Sequence, residues 1–211
     1  MKTRRKPILM LSIALLIIAA GLAHAADSKE KKQTAIATFA GGCFWCMEVP
    51  FDDVKGVLST TSGYTGGQKK NPTYHEVGEG KTGHCESIQI EYDPAKVTYE
   101  TLLQVYWHNI DPTTGDRQFC DWGNQYRPEI FYHNDEQKKL AEASKAEVEK
   151  KFGTVAVKIT PASVFYPAEE YHQDFYIKDP DQYHQYRTGC GRDRRLKELW
   201  GDAAGHASAS H

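Results

Sequence analysis

Between Thr98 and Ile110 the apolar residues Leu102, Leu103, Tyr106, Trp107 and Ile110 return every three or four positions, the spacing of one buried helix face. Asp111-Pro112 ends that helix, because the residue before proline is pushed out of the α region. A second helix is predicted from a cap at Asn134 or Asp135 to about Phe152, with Leu140 and Val148 on one face. Elsewhere the period falls to two. Ile88-Gln89-Ile90-Glu91-Tyr92 alternates apolar and polar side chains, as a strand with one wet face does, and Asp93-Pro94 stops it. Thr34 to Phe39, the threonine-rich Val54 to Tyr64, Ile130 to Tyr132 and Val155 to Ile159 read as further strands. Thr65-Gly66-Gly67 and Asn71-Pro72 mark turns, and short helices are expected at Met47 to Phe51 and Leu196 to Trp200. The rest of the chain beyond Ile159, rich in tyrosine and proline, reads as irregular. No internal repeat or linker interrupts residues 34–200. This interleaving predicts a single α+β domain: a mixed β-sheet flanked by helices, of the two-layer, ferredoxin-like-related kind, followed by a long irregular C-terminal segment.

The ends of the chain read differently. Lys2, Arg4, Arg5 and Lys6 precede an apolar run from Ile8 to Ala20, then Ala23-His24-Ala25. Charged start, short apolar core and small-x-small site are the three parts of a secretory signal peptide, with cleavage expected after Ala25. The core is short for a membrane span, although an uncleaved anchor is the alternative. A charged leader, residues 26–33, and a tail over residues 201–211 rich in Ala, Gly, Ser and His flank the domain; the tail is expected to be disordered and is given no role. Removing a leader with four basic and no acidic residues takes the net charge from −2 to −6. An acidic chain is a poor partner for nucleic acid, and an exported, periplasmic protein free of the membrane is the expectation. Five cysteines is an odd number for an exported chain, so at least one thiol is free or pairs transiently.

Candidate chemistry centres on Gly41-Gly42-Cys43-Phe44-Trp45-Cys46, where two glycines permit a sharp turn after the first strand. If Cys43 opens a helix, its sulfur lies among unpaired N–H groups at the positive end of the dipole, a setting that favours thiolate. Phe44 and Trp45 offer an apolar wall beside it. A buried structural cysteine is the competing reading. Tyr74 after a rigid turn, Glu86 at a strand start, Asp121 and Tyr126 in one loop, and Cys190 between two glycines are the other polar candidates. Each has an ordinary explanation: Tyr74 packing with a wet hydroxyl, Glu86 on a solvent face, Asp121 capping a turn, Tyr126 in the core. His108 and His172 read as structural. Zinc would need a second paired motif beside Cys43-x-x-Cys46, so no metal is expected.

Taken together, Gly-Gly-Cys-Phe-Trp-Cys at 41–46, Gly-Tyr-Thr-Gly-Gly at 63–67, Asn-Pro-Thr-Tyr at 71–74, Gly-His-Cys-Glu at 83–86 and Asn-Gln-Tyr-Arg at 124–127 resemble the A-type peptide methionine sulfoxide reductases. The resemblance runs from about Thr34 to Trp200. It implies an enzyme that reduces the S-epimer of methionine sulfoxide, free or in proteins, without a cofactor and as a monomer. It also implies roles: Cys43 as nucleophile, Glu86 as acid, Tyr74 and Tyr126 as donors to the sulfoxide oxygen. Phe44 and Trp45 would hold the methyl group, with Asp121 a polar pocket residue. The sulfenic acid left on Cys43 would be resolved by Cys190 first, or by Cys46, and a thioredoxin-like protein would reduce the disulfide. The usual family pattern has glycine where this chain has Cys46. Cys85 and Cys120 are further candidates for the resolving step, although both are expected to be buried small hydrophobes. An exported thioredoxin-type thiol–disulfide oxidoreductase is the alternative enzyme, and a secreted binding module stapled by its cysteines the non-enzymatic one.

Overall fold

The computed structural model of the protein describes residues 34–205, so the expected leader and the last residues of the tail lie outside it. Six strands form one mixed sheet: β1 (Ala35–Ala40), β2 (Val57–Thr65), β3 (Cys85–Tyr92), β6 (Glu129–Tyr132), β7 (Lys158–Pro161) and β8 (Tyr166–Pro167). Their order is β7-β6-β1-β3-β2-β8, antiparallel throughout except for β6 and β7. A separate hairpin pairs β4 (Arg117–Gln118) with β5 (Asp121–Trp122). Helices α1 (Phe44–Asp52), α2 (Tyr74–Gly78), α3 (Tyr99–His108) and α4 (Asp135–Phe152) are followed by α5 (Phe175–Lys178), α6 (Pro180–Gly189) and α7 (Arg192–Trp200). The chain order β1-α1-β2-β3-α3-β6, with β1 between β6 and β3 and β2 beyond β3, is the split βαβ arrangement of ferredoxin-like sheets.

The two periodicities meet in one core. Ala37 and Phe39 of β1 and Ile88, Ile90 and Tyr92 of β3 point to the same side of the sheet. They pack there against Leu102, Leu103 and Tyr106 of α3 and Ala141 and Val148 of α4. Phe39 stacks against Phe51, Tyr99 and Tyr106 with ring centroids 5.5, 5.9 and 5.0 Å away. Asn134 caps α4 by accepting from the Gln137 amide at 2.9 Å. No helix among the described residues is long and apolar enough to cross a membrane.

Three expectations change. The strand placed at Val155 to Ile159 begins at Lys158, because Val155 and Val157 are drawn into the core ahead of it. The segment read as irregular holds two helices, α5 and α6, and the helix expected at Leu196 to Trp200 begins earlier, at Arg192. Its longest, α6, has a helix-start signature: Asp179 accepts from the Gln182 amide at 3.1 Å, and Pro180 fills the first turn. Its low apolar content hid it, since only Tyr183 is fully buried. The expected tail also begins in order, with a 3₁₀ turn at Gly201–Ala203 and the Gly205 amide bonded to the His108 carbonyl at 3.1 Å.

These C-terminal helices fold back over α1. The Asp174 amide donates to the buried Glu48 carboxylate at 3.0 Å, Tyr176 Oη donates to Asp52 at 3.0 Å, and the Phe175 ring stacks on Trp45 at 3.7 Å.

Removing the ring at the centre of the stack tests this account of the core. Phe39→Ala should lower unfolding free energy in a urea titration by about 3–5 kcal/mol. Val164→Ala, at a position 63% exposed, should change it by less than about 0.5 kcal/mol. Equal effects would refute the assignment.

Candidate active site

At the end of β1 the chain turns through Gly41 and Gly42. A side chain at Gly41 would stand 2.7 Å from both the Ile110 Cγ2 and Met47 sulfur atoms. Gly42 has φ +85°, and a Cβ there would meet that of Gln118 at 2.6 Å. The turn delivers Cys43 as the N-cap of α1, so the expectation that it opens a helix holds. The first free amide of that helix, Phe44 N–H, donates to Glu86 Oε2 at 3.0 Å.

Glu86 reaches this position through strand parity. It shares its face with Ile88 and Ile90, so it points into the helix layer and is 3% exposed, against the solvent-face reading. The alternation seen at residues 88–92 carried this signal, had it been extended back one step. Burial drives the Glu86 carboxyl up to about 8; the Phe44 amide opposes the rise, while Asp121 and Cys46 add to it. The group is therefore largely protonated at neutral pH.

Cys43 and Cys46 are both buried, free and hydrogen-bonded to each other. Burial holds the Cys43 thiol well above its ordinary range, with Cys46, Glu86 and Asp121 adding to the rise. Cys46 is drawn down to about 7 by the hydrogen bond from Cys43, against its own burial and with the help of the Arg192 and Arg187 cations. This corrects the expectation that helix position alone makes Cys43 the thiolate. Removal from water and three neighbouring acids outweigh the dipole, and the negative charge of the pair settles on Cys46.

An aromatic cage surrounds the sulfurs. Phe44 lies 5.9 Å from Tyr64, 6.3 Å from Tyr74 and 5.0 Å from His172, and Trp45 Nε1 donates to His172 Nδ1 at 3.0 Å. Desolvation lowers His172 to about 4, so it stays neutral and fixes the indole. Glu169 joins two walls by accepting from Tyr64 Oη at 2.8 Å and from the Tyr74 amide at 2.9 Å. Tyr74 and Tyr126 are both half-buried, and burial together with the Glu86 charge raises both phenols. Asp121 accepts from Tyr186 Oη at 2.6 Å, and burial raises its carboxyl. The structure thus brings Cys43, Phe44, Trp45, Cys46, Tyr74, Glu86, Asp121 and Tyr126 to one place. The Arg192 guanidinium, buried above the Phe119 ring at 4.4 Å, donates to the Gly41 carbonyl at 3.1 Å and the Asn109 carbonyl at 2.7 Å.

Cys190 lies differently from its expected role. It is disulfide-bonded to Cys120, with the Cα atoms 5.0 Å apart. Cys120 is exposed, not a buried small hydrophobe, because the β4–β5 turn lifts it to the surface; Cys85 is buried as expected. In this state the side chain hydrogen-bonded to Cys43 is that of Cys46. Glu169, Tyr186 and the part His172 plays in holding Trp45 were missed from sequence. The first two lie in the segment read as irregular, where no apolar period marks a face.

The profile of one protein family, described as peptide methionine sulfoxide reductase, matches residues 35–204. A Bacillus licheniformis protein described as peptide methionine sulfoxide reductase MsrA is 53% identical over 179 residues, spanning 82% of this chain and 96% of its own. Among solved structures, Mxr1 from Saccharomyces cerevisiae in reduced form superposes with a TM-score of 0.68 at 32% identity, covering 72% of this chain and 89% of that one. Mxr1 in complex with Trx2 matches at a TM-score of 0.50 and 25% identity, over 69% of this chain and 87% of its own.

The raised Glu86 carboxyl has a thermodynamic consequence. Between the ordinary glutamate range and about 8 the folded protein binds a proton that the unfolded chain does not, so stability falls as pH rises through this window. Glu86→Gln should flatten that decline in denaturation midpoints measured from pH 5 to pH 8. Parallel curves for the two proteins would contradict a buried, protonated Glu86.

Proposed function

The chain belongs to the peptide methionine sulfoxide reductase family, and from that premise we propose the part each site residue plays in returning methionine sulfoxide to methionine. The observation that carries the reading is a protonated carboxyl, Glu86, bound to the amide that follows Cys43 inside an aromatic cage.

Cys43 is the nucleophile. Its proton passes to Cys46, whose sulfur already accepts it in a hydrogen bond, and the Cys43 sulfur attacks the substrate sulfur. Glu86 protonates the sulfoxide oxygen as charge develops there, and the Tyr74 and Tyr126 phenols donate to the same oxygen. The S–O bond and the new bond between the two sulfurs both break as the oxygen moves to Cys43, the thioether leaves as methionine, and Cys43 is left as sulfenic acid. Phe44 and Trp45 hold the methyl group, and a single orientation of oxygen toward Glu86 accounts for selection of the S-epimer. Cys46 then attacks the sulfenic sulfur, releasing water and forming the Cys43–Cys46 disulfide. Low basicity suits Cys46 to this step, since its thiolate is present near neutral pH.

The reductant is a thioredoxin-like protein dithiol, a reading supported by the complex of the neighbour Mxr1 with Trx2. The sequence features of the first 25 residues support export and cleavage after Ala25, which N-terminal analysis of exported protein tests.

Assays with separated sulfoxide epimers and dithiothreitol test the reaction. The S-epimer alone should be consumed; inert sulfoxides with rapid insulin reduction would favour the thioredoxin-type alternative. Cys43→Ser should abolish turnover. Glu86→Gln should slow methionine release in a single turnover by about 10²–10⁴-fold. Cys46→Ser should accumulate a dimedone-reactive sulfenic acid. Undiminished resolution in that variant would return the role to Cys190.

A further inference from the structure

The aromatic cage continues beyond the rings that hold the methyl group. The buried His172 ring lies 5.0 Å from Phe44, 5.7 Å from Trp45 and 4.3 Å from Tyr74, and 4.1 Å from the ring of Tyr171. Tyr171 is 58% exposed. A solitary exposed tyrosine carries no information, but this one is the outer end of a continuous stack that begins beside the reacting sulfurs. Trp45 and Tyr74 are half-buried, so the cage meets solvent along these rings. Burial, Glu86, Cys43 and then Tyr171 raise the Tyr74 phenol, which places the exposed ring next to that wall. The turn presenting it is tied on both sides. The His172 amide donates to the Glu169 carbonyl at 2.8 Å, and the Glu169 carboxylate holds Tyr64 and the Tyr74 amide. Lys178 Nζ donates to the Glu170 carbonyl at 2.7 Å and to its carboxylate at 2.9 Å. An apolar face is thus offered in a fixed place, so little ordering is left for a ligand to impose.

We propose that Tyr171 forms a subsite for the residue beside methionine sulfoxide in an oxidised polypeptide, and that this subsite takes an aromatic or aliphatic side chain against the exposed ring. The inference rests on the reading above, in which Phe44 and Trp45 hold the methyl group and Glu86 meets the oxygen. With those two groups directed inward, the stem of the substrate side chain and the backbone that bears it lie at the opening of the cage. Successive Cα atoms of a polypeptide are about 3.8 Å apart, so a flanking side chain reaches a ring standing one contact beyond His172. Free methionine sulfoxide has no such side chain and gains nothing from Tyr171. Charge nearby narrows the choice further. Burial opposes ionisation of Glu169, yet the bonds from the Tyr74 amide, its own amide and Tyr64 Oη hold its carboxyl below the ordinary range. An acidic flanking residue therefore meets like charge beside the ring, whereas an apolar one does not.

Steady-state kinetics with dithiothreitol test this, using free S-methionine sulfoxide and capped peptides that carry phenylalanine, glycine or aspartate on both sides of the S-sulfoxide. Wild type should turn over the phenylalanine peptide with kcat/KM about 3–10-fold above the glycine peptide, the gain appearing in KM. The aspartate peptide should do no better than the glycine one. Tyr171→Ala should lose the preference for phenylalanine, and Tyr171→Phe, which keeps the ring, should retain it. Equal kcat/KM for the phenylalanine and glycine peptides in wild type would overturn the inference, as would an aspartate peptide that matches the phenylalanine one. So would a preference that survives Tyr171→Ala or vanishes in Tyr171→Phe. A fall in Tyr171→Ala that is equal for all four substrates would reduce Tyr171 to a support for His172 and leave the reductase reading standing. No turnover of any substrate by wild type would remove the reductase reading and this inference with it.

Discussion

The hydrogen bond from the Phe44 amide to the Glu86 carboxyl joins the first turn of α1 to the start of β3, and the rest of the site is arranged about it. Three local conditions produce it. A glycine pair lets β1 turn without collision against Met47, Ile110 and Gln118. The β1–β3 register pairs Phe39 with Ile88, which sets the start of β3 beside that turn. Strand parity then aims Glu86 inward, toward an amide that the helix cannot satisfy itself. A free helix N–H and a buried acid each carry a desolvation penalty of about 1–3 kcal/mol, and one bond relieves both.

The same burial creates an electrostatic conflict. Cys43, Cys46, Glu86 and Asp121 crowd into a volume from which the C-terminal helices exclude water, and not all of them can ionise. The hydrogen bond from Cys43 decides the outcome by favouring charge on Cys46, and the Arg192 and Arg187 cations help to hold it there. Carboxyls on the Cys43 side remain protonated at higher pH than usual. That division separates the roles: acid groups hold protons where oxygen arrives, and the anionic sulfur sits where a proton must be accepted.

The C-terminal segment is therefore part of the site although its sequence lacks a core pattern. It is anchored by polar bonds more than by apolar area. Glu48, raised to about 7 by burial, receives the Asp174 amide, Asp52 receives Tyr176, and Arg192 reaches the Gly41 carbonyl. Such anchors leave tyrosines free to line the cage, since a phenol offers an apolar face and a polar tip together.

Local order was legible in the chain because it depends on neighbours a few residues away. The alternation through Ile88 and Ile90, the helical period from Leu102 to Trp107 and the Asn134 cap fixed these elements closely, and the motif at residues 41–46 marked the reactive turn. The cap at Asp179 and Pro180 was equally local but lay outside any apolar period. What the chain could not state is which sulfur meets which. Cys120 and Cys190 are 70 residues apart and bonded, whereas Cys43 and Cys46 touch yet differ in proton affinity. Sulfur contact and ionisation follow from distance, burial and the fields of remote cations, and those quantities exist only once the sheet has closed and α6 has come down upon α1.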